Sequence, residues 1–98
     1  MIIVEAARIA EFKSKGWWGD TTLVDKMNAH ADARPQEEAL VDPPNLADIA
    51  GIPPRRLTWQ QVRDGVEQRA ALLYRYGLRK DDVIVIQLPN SVDLTLAL

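Results

Sequence analysis

Apolar side chains recur at spacings of three and four from Trp59 through Val62, Val66 and Ala70 to Leu73, with Arg63, Glu67 and Arg75 off that face. This is the periodicity of an amphipathic helix. Thr58 stands where its hydroxyl can accept from the amide of Gln61 while the Gln61 side chain reaches back, a reciprocal cap that starts the helix. Gly77 occupies the left-handed position that ends such a helix, and Leu78 supplies the accompanying apolar contact. Upstream, Val4, Ala7, Ile9 and Phe12 alternate with charges up to a glycine stop at Gly16, so residues 3–14 read as a short leader helix. A better-marked helix follows, with Thr22 as its cap, Asp25 near its positive end, Leu23, Met27 and Ala31 four apart, and Pro35 as its end.

Two segments read as strands. Ala39-Leu40-Val41 lies between charges and is followed at once by two prolines, and Val83-Ile84-Val85-Ile86 is four consecutive β-branched residues extended by Gln87-Leu88. An apolar run with no alternation predicts a parallel strand buried on both faces. Between Pro43 and Pro54 the four prolines predict a loop with room for one helical turn at Leu46–Ala50. After Pro89-Asn90, Ser91 is placed to cap a last helix starting at Val92. The order strand, loop, short strand, helix, strand, helix predicts an α/β fold with a right-handed βαβ unit at its centre. No glycine, proline or basic turn closes the final helix, and Leu94, Leu96 and Leu98 need apolar partners. We therefore expect these residues to be the front of a larger protein, with residues 1–15 as a leader helix and 16–98 as an incomplete domain.

Composition narrows the classes. The chain has 98 residues, 47% hydrophobic and 27% charged, a formal net charge of −2 and no cysteine. Disulfide scaffolds and cysteine-based zinc sites are excluded, and the apolar fraction is too ordinary for a disordered chain. A chain this short buries about 60 to 68% of its unfolded surface, so any core is thin. Residues 1–50 hold five basic and nine acidic side chains, and residues 51–98 hold seven and five. Neither half clusters enough Lys and Arg to neutralise a run of phosphates, so no nucleic-acid surface is expected. Glu5 and Arg8 interrupt the start before a signal-peptide apolar region forms, and no apolar run approaches the ~20 residues of a membrane span. The expected location is cytoplasmic.

Candidate chemistry is sparse. There is no G-x-x-x-x-G-K-[ST] loop, no G-x-G-x-x-G after the Val83 run, and no H-E-x-x-H or EF-hand pattern. His30 is the only histidine, and Asp25 and Asp32 are at the wrong helical spacing to sit beside it, which makes it an ordinary boundary residue. Trp17-Trp18 can stack on a sugar, sit at a membrane surface or anchor a partner, but the structural expectation is that they cover the seam between leader and body. Asp81-Asp82 is expected to form the tight turn into the Val83 strand, where Asp tolerates left-handed geometry, before it is expected to hold a cation. Asn90 and Ser91 lie just past the carboxyl end of a predicted parallel strand, the ligand-binding edge of open α/β sheets, against which stands their plain role as turn and cap. The Pro43–Pro54 segment contains no P-x-x-P and reads as a surface loop.

The ordered set Arg34-Pro35, Glu38-Ala39-Leu40-Val41-Asp42, Arg56-Leu57-Thr58-Trp59-Gln60-Gln61-Val62, Ala70-Ala71-Leu72-Leu73 and Tyr76 through Ser91 resembles the N-terminal region of the AMP-forming acyl-CoA synthetases. These belong to the acyl- and aryl-adenylating superfamily. Gly16-Trp17-Trp18-Gly19-Asp20-Thr21-Thr22-Leu23 looks like the leading segment of the fatty-acid, alicyclic-acid and aryl-acid branch. Two loops depart from the pattern: Pro43–Pro54 expands a connection that is usually a short turn, and Asp81 stands where a glycine is common. The resemblance implies a βαβ-containing N-terminal fragment of the large domain of an adenylate-forming enzyme. It further implies a ligase in which a carboxylate attacks the α-phosphate of Mg-ATP to give an acyl-adenylate and pyrophosphate, after which coenzyme A displaces AMP. Adenylation turns a poor acyl donor into a good one, and Mg2+ with a cationic side chain would stabilise the charge at phosphorus. In that family a Ser/Thr/Gly-rich loop and a lysine on a small C-terminal domain do this work, and no position of this chain corresponds to either. No catalytic, cofactor-binding or metal residue is therefore assigned here. The expected partners are the remainder of the same polypeptide and a small carboxylic acid. An aryl-acid or amino-acid adenylating enzyme that loads a carrier protein fits the same residues, and a small stand-alone interaction domain built on Trp17, Trp18 and the proline loop is the rival from another class.

Overall fold

A computed structural model describes residues 3–98. Helix α1 spans Ala6–Ser14 and α2 Leu23–Ala33; strand β1 (Glu38–Val41) leads through the short helix α3 (Leu46–Ala50) to strand β2 (Arg56–Thr58); α4 (Trp59–Arg75) and α5 (Val92–Ala97) complete the order. The capping residues predict these boundaries well. Thr22 accepts from the Asp25 amide at 3.1 Å and donates its own amide to the Asp25 carboxylate at 2.7 Å. Thr58 and Gln61 make the same reciprocal pair at 3.3 and 2.9 Å. Two amides orphaned at the start of α4 are taken up by the preceding turn, Trp59 bonding Glu37 and Gln60 bonding Pro35 through their carbonyls. At its other end Gly77, with φ of 95°, lets the Leu78 amide reach back to the Leu73 carbonyl.

Helix α4 is the centre of the packing: α2, α5 and both strands lie against it. β1 and β2 pair antiparallel, with Leu40 opposite Leu57, Val41 opposite Arg56 and an irregularity between Glu38 and Leu40. The expanded connection predicted at Pro43–Pro54 is thus the loop of this hairpin, and Leu46 from its helical turn is the most completely buried large side chain. Ala31, Val62, Val92 and Leu96 make up the rest of the buried apolar core. The predicted stripe of α4 is only partly covered: Val62 is buried, Trp59, Val66 and Leu73 are half-buried, and Ala70 is exposed.

Three expectations are corrected. Val83–Leu88 joins no ladder, so the two strands form one antiparallel pair and no βαβ unit is present among the described residues. β-branched residues favour a pleated surface, but a segment becomes a strand only where another strand offers an edge, and β1 and β2 take each other. Trp17 and Trp18 do not seal a seam between leader and body. They fold back on α1 itself, their rings 5.5 and 5.4 Å from the Phe12 ring, and Trp17 remains 66% exposed. Ser91 occupies the cap position of α5 without capping it, because its hydroxyl donates to the Pro89 carbonyl instead.

Candidate functional site

The amide that Ser91 leaves open is claimed from across the molecule. Asp42, the residue that follows β1, accepts from the Val92 amide at 2.7 Å, fifty positions away in sequence, and from the Arg55 amide at 2.8 Å. Its place follows from the hairpin: Asp42 and Arg55 flank the loop just beyond the last ladder pair, and the Asp42 amide bonds the Arg55 carbonyl. The carboxylate is 2% exposed and lies at the positive end of α5, so it supplies the cap from outside the helix. Arg55 continues the chain of charges to Asp93 at 2.5 Å, and Asp93 also accepts from Arg69 of α4. Hairpin loop, central helix and last helix are joined by this Asp42–Arg55–Asp93–Arg69 cluster.

Burial pushes the Asp42 carboxyl up, but the amides of Val92 and Arg55 and the Arg55 guanidinium outweigh it and hold the group below the ordinary carboxylate range. The Arg55 guanidinium is held above its ordinary value chiefly by its hydrogen bond to Asp93, against the opposing effect of burial. A carboxylate in this setting stays ionised, with its lone pairs engaged by fixed donors. That is the chemistry of a clasp, not of a base or nucleophile, both of which need a pair of electrons free to accept a proton or attack.

A cleft of about 420 Å³ runs between α2 and α5 against α4. Leu23, Met27, Leu40, Trp59, Val62 and Val66 make it apolar, with Lys26, His30 and Thr95 as its polar edge. His30 lies with its ring centroid 4.6 Å from that of Trp59, and its Nδ1 accepts from Arg34 at 3.2 Å, since a guanidinium only donates. Arg34 also stands over the Trp59 ring. The lone histidine is thus a half-buried packing residue, as its spacing implied.

The other residues singled out by sequence remain apart from both features. Asp81 has a φ of 73° and Asp82 accepts from the Arg79 amide at 2.7 Å, so the pair forms the expected turn. Asn90 lies in the bend before α5. Among the described residues, no group of three His, Cys, Asp or Glu side chains is arranged to hold a metal ion. The N-termini of α2, α4 and α5, the usual cradles for a phosphate, are already filled by Thr22 with Asp25, Thr58 with Gln61, and Asp42.

The clasp was missed by sequence reasoning because its members lie at positions 42, 55, 69 and 93, with no periodicity to link them. The one local signal was that Asp42 and Asp93 each sit beside an element end. Neither a curated protein nor a solved structure matches the chain. The profile of the family described as AMP-binding enzyme matches residues 27–98, which takes in most of α2, the hairpin, α4, the clasp and α5 and omits α1, the Trp17-Trp18 segment and the first turn of α2. With a match over more than two thirds of its length, the chain belongs to the AMP-binding enzyme family.

Proposed function

We propose that this chain is the N-terminal portion of the large domain of a cytoplasmic AMP-forming acid–thiol ligase. The enzyme adenylates a fatty, alicyclic or aryl carboxylic acid with ATP and Mg2+ and passes the acyl group to coenzyme A. The observation that carries the reading is the family match over residues 27–98, falling on the same ordered segments, from Arg34-Pro35 to Pro89-Asn90-Ser91, that resemble acyl-CoA synthetases.

Within that enzyme the role of this portion is structural. The clasp, which keeps the hairpin, α4 and α5 in fixed relation, supports that role. The apolar cleft and the half-covered stripe of α4 are the surfaces that the remainder of the polypeptide would cover. A radius of gyration of 16.5 Å, against about 13 Å for a self-contained domain of this length, supports a body that lacks part of its packing.

The test has two arms. The 98-residue chain, incubated with Mg-ATP and a panel of carboxylic acids, is expected to release no pyrophosphate; acid-dependent release would overturn the structural role. The chain continued past Leu98 by its own coding sequence is expected to catalyse acid-dependent ATP–pyrophosphate exchange and to release AMP when coenzyme A is added. Exchange that proceeds to product only with a carrier protein would replace coenzyme A as acceptor, and no exchange with any acid would overturn the ligase reading.

A further inference from the structure

Asp42 is followed by Pro43, and the sequence contains no other Asp-Pro pair. Such a pair carries its own cleavage chemistry. A prolyl amide nitrogen has no hydrogen to lose, so it cannot close on the Asp side chain to a succinimide; attack of the carboxylate on the Asp main-chain carbonyl is the route left open. The proline nitrogen then departs as a secondary amine, which takes up a proton readily in acid. In the folded chain both carboxylate oxygens are otherwise engaged. One accepts from the Val92 amide at 2.7 Å, and the other from the Arg55 amide at 2.8 Å and the Arg55 guanidinium at 3.4 Å. The main chain is fixed on either side of the bond, the Asp42 amide donating to the Arg55 carbonyl and the Pro43 carbonyl accepting from the Leu46 amide. At 2% exposure Asp42 is also shut off from water, and residues beyond those described could only add to that cover.

We propose that Asp42–Pro43 is a latent scission site, closed by the clasp and opened by its release in acid. Once released, an ionised Asp42 oxygen attacks the Asp42 main-chain carbonyl carbon and forms a five-membered cyclic anhydride. The C–N bond to Pro43 breaks, and its electron pair stays on the nitrogen, which takes a proton from the acidic solvent. Water then opens the anhydride and restores both carboxyl groups of Asp42. The net change is hydrolysis of one peptide bond; one water is consumed, and nothing is oxidised or reduced. The products are residues 1–42, with α1, α2 and β1, and residues 43–98 beginning at Pro43. Arg55 of the hairpin is the charged group that faces Asp42, and beyond it lie Asp93 of α5 and Arg69 of α4. Protonation of either carboxylate weakens this linkage, so acid loosens the clasp while it promotes departure of the proline nitrogen. The inference rests on the dipeptide and the clasp, and is independent of the ligase reading and of its acceptor.

The test is incubation of the chain at about pH 4, near the ordinary Asp value, with mass spectrometry for residues 1–42 and 43–98. In urea, where the clasp is absent, the wild-type chain is expected to be cut, and Asp42→Asn, which has no carboxylate at this position, is expected to stay whole. Without urea the folded wild-type chain is expected to be cut at least about tenfold more slowly, since cleavage follows the population of the open form. Val92→Pro removes one donor while suiting α5, because proline fits the first position of a helix and Ser91 already has the extended backbone that precedes a proline. Arg55→Ala removes the guanidinium. Each variant, its folding checked by far-UV circular dichroism, is expected to raise the folded-state rate about tenfold, and should one fail to fold the other decides. Three results would each overturn the proposal: a folded wild-type chain cut as fast as the unfolded one, an unfolded wild-type chain no more labile than Asp42→Asn, or folded variants as resistant as the wild type.

Discussion

Gly65 lies inside α4 at the point where α5 crosses it, and replacing it tests whether that close approach is what joins the two helices. A Cβ at this position would sit 3.0 Å from Leu96 Cδ1, 3.4 Å from Leu96 Cδ2 and 3.5 Å from the Arg69 guanidinium. Carbon atoms pack comfortably at about 3.5–4.0 Å, so even one added carbon requires Leu96 to move by up to ~1 Å. Leu96 is 6% exposed and has little room to do so. In an open helix, a change from glycine would gain up to about 1 kcal/mol of helix propensity, most of it lost again when the new residue is β-branched. Gly65→Val therefore leaves the overpacking cost, about 1–3 kcal/mol, nearly uncompensated. At about 4–8 °C per kcal/mol for a domain of this size, a 2 kcal/mol loss lowers the melting temperature by about 8–16 °C.

The decisive comparison is a double-mutant cycle read by thermal and urea melts followed by circular dichroism. Leu96→Ala alone is expected to cost about 2–5 kcal/mol by leaving a cavity. In that background the valine at 65 enters the vacated space, so its own cost shrinks or changes sign, with a coupling of about 0.5–3 kcal/mol. Ala71→Val on the exposed part of α4 reports propensity alone and should change stability by less than about 1 kcal/mol. If Gly65→Val costs the same with and without Leu96, or nothing at all, the close-packed crossing is refuted.

Three further outcomes are expected. Asp42 has a folded-state pKa below its unfolded value, so its stabilising contribution is fully present above about pH 5 and is lost as pH falls through the unfolded and then the folded pKa; Asp42→Asn should flatten that acid limb in melts between pH 6 and 2.5, and an unchanged acid limb would count against the clasp. Asp81 adopts a left-handed backbone, so Asp81→Val should destabilise by about 1–2 kcal/mol in urea titrations whereas Asp81→Gly should be tolerated; equal effects would remove the backbone explanation. Thr58→Ala, which removes the hydroxyl that accepts from Gln61, should cost about 1 kcal/mol in the same assay, and Thr58→Ser should restore most of it.

Sequence by itself determined the elements whose signals are local. Thr22 with Asp25, Thr58 with Gln61, Gly77 with Leu78 and the left-handed Asp81 each act on neighbours within a few residues, so their roles were legible without a fold. The ordered motifs from Arg34 to Ser91 were likewise legible, and the family match over residues 27–98 rests on the same stretch. Tertiary structure alone decided what depends on a distant partner. Val83–Leu88 has the composition of a buried strand, yet a strand requires a neighbour's edge and none of the described segments offers one. Ser91 has the right type and place for a cap, yet a buried carboxylate fifty residues away takes the Val92 amide and leaves the hydroxyl to Pro89. The clasp built on that carboxylate exists only because the hairpin and α5 meet at α4, a long-range coincidence that no period in the sequence encodes.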